Sequence, residues 1–370
     1  MQALRDTFAS LTSRQRWWLG GGAAAVLVVF LVVVILAGSR EQPTGTTTTT
    51  STAATPPDTS TTSTSTTSTS TTTTAVAFET WPLTGLPVEE GSPTAPVLAV
   101  KIDNSNDARP QEGLELADVV FDIPVEGGIS RLLAFYQSRL PPAIGPVRSV
   151  REVDPKLLAP FGASLAYSGG DASVVASIRS VAVDLGDPVL GTIAYRRAPD
   201  RPEPYDLMFD PAAALASVEV AAGAGGSRPA FGEGPIGDVG LIVEIDSSNR
   251  HQVVYGYSAA DGGYLRFHGS QPHLAASGDQ LVATNVVVLV VEQLETGRTD
   301  SSGAPVPDFE VLGTGEASVF RDGVALSGRW ERGRLTDFFR LFDSSGAEIS
   351  LAAGPTWVHL VPEGRTYEWR

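Results

Sequence analysis

The sequence predicts an α/β half followed by a mostly antiparallel β half, preceded by one transmembrane helix and a disordered Thr/Ser stalk. Three observations predict it. Leu19 to Ala37 is a nearly unbroken apolar run, Thr44 to Thr74 is almost wholly threonine and serine, and the remainder mixes strand patterns first with helix starts and then with turns alone. These divide the chain into a cytoplasmic tail (1–16), a spanning helix (17–38), a stalk (39–77), an α/β domain (78–225) and a β-rich domain (226–370).

The apolar run is long enough to cross a hydrocarbon layer of ~30 Å at ~1.5 Å per residue. Arg5, Arg14 and Arg16 precede it, and only Arg40, beside Glu41, follows closely. The positive-inside bias keeps the N-terminus cytoplasmic and places the rest outside, as a single-pass protein of the cell membrane. A cleaved signal peptide has the same charged start, but a shorter apolar centre. Leu36-Ala37-Gly38-Ser39 has the form of a lipoprotein cleavage box with serine in the position of the lipidated cysteine. The chain has no cysteine, so thioether lipidation and disulfides are both closed to it. The Thr/Ser tract has no apolar surface to offset its ordering entropy, so it is expected to be an extended spacer.

In the α/β half, Val97 to Ile102 reads as a buried strand ending in Asp103-Asn104. Ala117 to Val125 alternates, with Val119, Phe121 and Ile123 on one face and Asp118, Val120 and Asp122 on the other. The Glu126-Gly127-Gly128 turn joins it to a strand over 129–137. Asp154-Pro155 and Asp210-Pro211 have the form of an N-cap followed by proline at N1, and a further helix is expected from Ala172 to Arg179. Gly223 to Gly240, rich in glycine and proline, reads as a linker. Beyond it, strands are expected at 241–245, 253–257, 264–267, 285–291, 335–342, 348–351 and 357–361. A hairpin is expected around Arg321-Asp322-Gly323.

A net charge of −16 argues against nucleic acid as a partner. Cysteine catalysis is excluded, and no P-loop, Gly-x-Ser-x-Gly elbow or His-Glu-x-x-His helix occurs. Neither Lys101 nor Lys156 has serine three residues before it. His268 and His273 bracket a four-residue loop that admits two ligands to one metal, although paired histidines in a β loop are more often polar turn residues. Arg196, Arg197 and Arg201 form a second basic stretch whose plain reading is a solvated loop.

The strongest candidate site lies at Ile144-Gly145-Pro146-Val147-Arg148-Ser149-Val150-Arg151. Two guanidiniums at i and i+3 on a loop stiffened by glycine and proline read as a clamp for an anion. Arg109 and Arg131 join Arg148 and Arg151 in this ligand-binding set. Asp103, Asp118, Asp122 and Glu126 are its acidic partners, either as salt-bridge partners that pin loops or as ligands of a hard cation such as Mg²⁺. A solvated sheet face is the plain reading of Asp118 and Asp122.

Arg109-Pro110-Gln111-x-Gly113, Ala117-Asp118-Val119-Val120, Glu126-Gly127-Gly128-Ile129-Ser130-Arg131 and the Ile144–Arg151 block resemble the YerB-like family of bacterial lipoproteins, whose biochemical function is uncharacterised. Asn285-Val286-Val287-Val288, Gly328-x-Trp330 and Gly354-Pro355-Thr356-Trp357-Val358 extend the resemblance, which covers nearly all of 82–363. The chain departs from that pattern at Ser39, and at Pro202-Glu203-Pro204-Tyr205, where many members carry a His-Asn pair. A fainter likeness of layout is to envelope glycopolymer transferases of the LytR-CpsA-Psr type. The resulting expectation is a membrane-anchored extracytoplasmic envelope protein that binds a cell-wall component or an envelope protein without a cofactor. The alternative is a Mg²⁺-dependent enzyme directed at lipid pyrophosphates or glycopolymers.

Overall fold

The structure is a computed structural model that describes residues 79–219, 228–234, 236–300 and 302–370. The expected cytoplasmic tail, spanning helix and stalk lie outside the described residues, as does part of the 223–240 linker. Among the described residues no helix is long and apolar enough to cross a membrane.

The first strands are β1 (Leu98–Asp103), β2 (Val119–Pro124), β3 (Ser130–Tyr136), β4 (Ser164–Ala166), β5 (Val183–Asp184), β6 (Tyr195–Arg197) and β7 (Leu207–Phe209). Then come β8 (Asp238–Val239), β9 (Ile242–Ser248), β10 (His251–Ser258), β11 (Gly263–His268), β12 (Gln271–Pro272), β13 (Val282–Ala283) and β14 (Asn285–Val291). The last are β15 (Gln293–Thr299), β16 (Pro305–Phe309), β17 (Gly313–Arg321), β18 (Val324–Arg332), β19 (Arg340–Asp343), β20 (Thr356–Pro362) and β21 (Thr366–Trp369).

One large sheet runs β19-β18-β17-β14-β20-β2-β3-β1-β4-β5, with β8 on the side of β18. It is mixed: β20 pairs parallel with both β14 and β2, whereas β3 pairs antiparallel with β1 and β2. Strands from both sides of residue 225 therefore share one sheet, and residues 74–370 form one unit. A second sheet, β12-β11-β10-β9-β21 with β13 beside β11, contains only strands from after residue 225.

Taken whole, the described residues are mostly β; the first half keeps only a small α/β part, where β1, β4 and β5 pair parallel and helices lie in the connections. Its helices are short: Val153–Leu158, Ala172–Val181, Asp187–Leu190 and Pro211–Ser217. The reason is connectivity. β2 and β3 are antiparallel and need only the Glu126–Gly128 turn, whereas an α/β layer arises from long crossovers between parallel strands.

The large sheet is covered on both faces. On one, Ala99, Phe121, Leu133, Phe135 and Leu289 pack with Leu157, Phe161 and Ile178 from helices and loops, and with Phe338 and Phe339. On the other, Val100, Val120, Leu132 and Val288 meet Val243, Ile245, Val253, Tyr255 and Tyr264 of the second sheet. Burial on both faces explains the continuous apolar sequences of β14 and β20. It also governs the polar residues. Alternation sends Lys101, Asp103 and Arg131 toward the helices, and sends Asp122 and Ser130 toward the second sheet.

Candidate functional site

The 144–151 loop lies against the end of β1, where the Arg148 backbone N–H donates to Lys101 O at 2.8 Å and the Asp103 N–H to Pro146 O at 2.9 Å. Gly145 permits this close packing, since a Cβ there would lie 2.7 Å from Met208 Sδ and 2.9 Å from Leu207 O. Beneath the loop, the Lys101 ammonium and the Asp154 carboxylate pair at 2.7 Å with no exposure, and Asp154 also accepts the Arg151 N–H at 2.6 Å. This buried pair fixes the loop from below.

Arg131, Arg148 and Arg151 come together on an open cleft of about 490 Å³, joined there by Arg298. Glu126 accepts from both Arg131 (3.3 Å) and Arg151 (Nε at 2.7 Å), while Arg131 also donates to Ser149 O at 3.0 Å. Asp103 accepts from Arg148 Nε at 2.6 Å. Arg298 is held by Glu152 and Asp171. Burial, then the neighbouring Arg151, pulls the Arg131 guanidinium down to about 10, with Glu126 opposing. Burial works against the Glu126 charge as well, but the Arg151 bond and Arg131 hold that carboxyl below its ordinary range. Arg148 is the most open of these three arginines, 27% exposed, and its two Nη groups make no hydrogen bond among the described residues.

Asp103 and Glu126 are thus arginine partners at this cleft; the other expected residues lie elsewhere. Asp118 accepts the backbone N–H groups of Gln137 (2.6 Å) and Ser138 (2.8 Å) and fastens the end of β3. Burial raises its pKa despite those bonds. Asp122 is buried beneath the second sheet, so neither aspartate sits on a solvated face: each is 2% exposed. Both faces of β2 are covered, which the alternating sequence does not reveal. Arg109 lies on a different cleft, donating to Asn104 O at 2.7 Å and Asn106 Oδ1 at 3.1 Å. No group of three or more His, Asp or Glu side chains placed to hold a metal ion occurs among the described residues.

Around Asp122 the fold builds a buried polar network that unites all four histidines. Arg266 is unexposed and donates to Asp122 Oδ2 at 2.5 Å, to Tyr255 OH at 3.1 Å, to His268 Nε2 at 2.9 Å and to His273 Nδ1. Its guanidinium also stacks 4.6 Å from the centroid of Trp357. Arginine has only donors, so the facing nitrogens of His268 and His273 carry lone pairs. His273 Nε2–H then donates to Gln111 Oε1 at 2.7 Å. Tyr255 accepts from Arg266 and donates to His359 Nε2 at 2.9 Å, leaving the proton of His359 on Nδ1, 3.8 Å from Asp122. His251 Nε2 lies 3.0 and 3.1 Å from the two Asp122 oxygens.

Burial, then the Arg266 charge, keeps His268 and His273 neutral far below the usual range; burial brings His359 down to about 3. Burial penalises ionised Asp122 too, but His251, Arg266 and His359 together hold its pKa well below normal. His268 and His273, the spacing that admitted a shared metal, converge on a guanidinium.

Ser130, His251 and Asp122 meet as the residue types of a hydrolase triad, yet they do not form one. Ser130 Oγ, at 3.0 Å, shares Nε2 of His251 with Asp122, and Ser130 is fully buried. A triad needs the acid and the nucleophile on opposite ring nitrogens. The sequence signal for the network lay in β11, where Tyr264, Arg266 and His268 share one strand face.

Two family models match the chain, one described as the N-terminal domain of a protein of unknown function, DUF3048, over residues 83–224. The other is the C-terminal domain of the same description, over residues 243–358. "Putative lipoprotein YerB" of Bacillus subtilis (strain 168) is 39% identical over 103 residues, which is 28% of this chain and 31% of that protein. The match thus spans about a third of the relative's length. The crystal structure of YerB protein from Bacillus subtilis aligns with a TM-score of 0.67 at 21% identity, over 78% of this chain and 99% of that one. That likeness shows a shared fold.

Proposed function

Because the chain belongs to the DUF3048 family, with both of its domains matched, we propose that it is a membrane-anchored extracytoplasmic envelope protein that grips an anionic group of a wall component or envelope partner. The lipoprotein description of YerB supports an envelope location, with residues 17–38 supplying the attachment that a chain without cysteine cannot obtain from a lipid. One observation carries the binding reading. Guanidiniums from β3 and from the 144–151 loop converge on one open cleft, and the Nη groups of Arg148, without a partner among the described residues, can donate there. The magnesium-dependent alternative asks for carboxylates free of guanidinium partners, and Asp103 and Glu126 are both engaged.

The test is to titrate polyprenyl pyrophosphate, with and without Mg²⁺, into the full chain in detergent. Arg148→Ala should weaken binding at least about tenfold, or 1.4 kcal/mol. It also leaves the buried Asp103 carboxylate unpaired and should lower the melting temperature. Adding Asp103→Asn should recover the melting temperature and leave the binding defect. Recovery of both would make Arg148 an architectural residue; binding that needs Mg²⁺ would favour the enzyme.

A further inference from the structure

The second cleft, about 460 Å³, lies on the face of the large sheet that the second sheet covers, and Arg109, Arg250, His251, His268 and Asp246 line it. His251 is 3% exposed and its Nε2 is taken by Asp122 and Ser130. Its Nδ1 has no partner among the described residues. An acceptor carboxylate on Nε2 fixes the ring proton there and leaves the lone pair on Nδ1. Arg250 is exposed and its side chain makes no ion pair or hydrogen bond among the described residues, while Arg109 is held on the rim by Asn104 and Asn106. Asp246 offsets one of these two cations, so the lining carries a net positive charge.

Two guanidiniums supply donors for an oxyanion, and an unpartnered imidazole lone pair seeks a proton from the same ligand. A carboxylate or a phosphodiester satisfies the first demand only. A terminal phosphate meets both, because its last ionisation falls near pH ~6 and so it brings an O–H. We propose that this cleft is a second ligand site, specific for a terminal phosphate, with Arg109 and Arg250 on its oxygens and His251 Nδ1 accepting its P–OH. The buried Asp122 acts as a positioning residue that sets the His251 tautomer.

Calorimetric titration of the full chain in phosphate-free detergent, near pH ~6, tests it with phenyl phosphate, dimethyl phosphate and acetate. Phenyl phosphate should bind at least about tenfold more tightly than either of the others. Arg250→Ala, at a side chain the fold does not use, should weaken phenyl phosphate about tenfold with unchanged melting. His251→Gln should abolish the preference over dimethyl phosphate, and Arg148→Ala should leave phenyl phosphate binding unaltered. Equal affinity for monoester and diester overturns the proposal, as does a dissociation constant indifferent to Arg250→Ala. Binding lost in Arg148→Ala alone would assign the phosphate to the first cleft and leave this one without a ligand.

Discussion

Acidification should destabilise this fold steeply below about pH 6.5, with little change above it, because three histidines are built in as neutral hydrogen-bond acceptors or donors. In the unfolded chain each binds a proton near pH ~6.5. In the fold His268, His273 and His359 resist protonation to far lower pH, His359 to about 3. Between those limits the unfolded state holds more protons, so stability rises with pH and is fully present only above the unfolded value. Each such histidine contributes a slope of about 1.4 kcal/mol per pH unit. His268 is partly open and counts for less, so the sum is roughly 3–4 kcal/mol per unit against a usual total of about 5–15 kcal/mol. Asp122 adds a term of its own at lower pH still: its depressed pKa supports the fold above about 3.9 and fails as pH drops through the folded value. Urea unfolding at half-unit steps from pH 8 to 5 measures the slope. A profile flat across that range would mean that the histidines are not held neutral.

Arg266→Met should be among the most damaging single substitutions, costing about 3–5 kcal/mol by leaving buried Asp122 without its cation. It also removes the donor that satisfies His268 and His273. Asp122→Asn added to Arg266→Met should be less destabilising than the sum of the two, since each change alone strands the other's charge. Denaturant midpoints of the four proteins close this cycle; strictly additive losses would show that the pair is not coupled.

Much of the β framework was legible in the sequence. The expected strand at 285–291 coincides with β14, that at 129–137 brackets β3, that at 357–361 falls within β20, and the helix starts at Ala172 and Asp210-Pro211 hold. The expected strand at 335–342 shrinks to Arg340–Asp343, because Arg332 draws the preceding turn inward through the Asp337 and Leu335 carbonyls. β15 and β16 leave no clear strand pattern in the sequence because they form a separate two-stranded ribbon whose first strand is polar and half-exposed. At the candidate site, local sequence sufficed for Arg148 and Arg151, which share a loop. It could not separate Arg109 from Arg131, since Arg131 lies within β3 and Arg109 on a loop, and only the tertiary fold decides which cleft each serves. The histidine network was illegible for a stronger reason: Asp122 and Arg266 are 144 positions apart, and nothing in either neighbourhood names the other.

The placement of β20 has a consequence for biogenesis. Thr356–Pro362 is a late-synthesised strand, yet it occupies the gap between β2 and β14 and supplies the sheet bonds each of them needs. Until it arrives, the segment ending near residue 225 exposes an unsatisfied apolar edge along β2, the kind of template on which chains stick to one another. A ribosome or export channel releasing this protein must therefore deliver the chain through Pro362 before the large sheet can close. A fragment stopped at residue 225 should accumulate as oligomers, and a monodisperse, protease-resistant monomer of that fragment would contradict this.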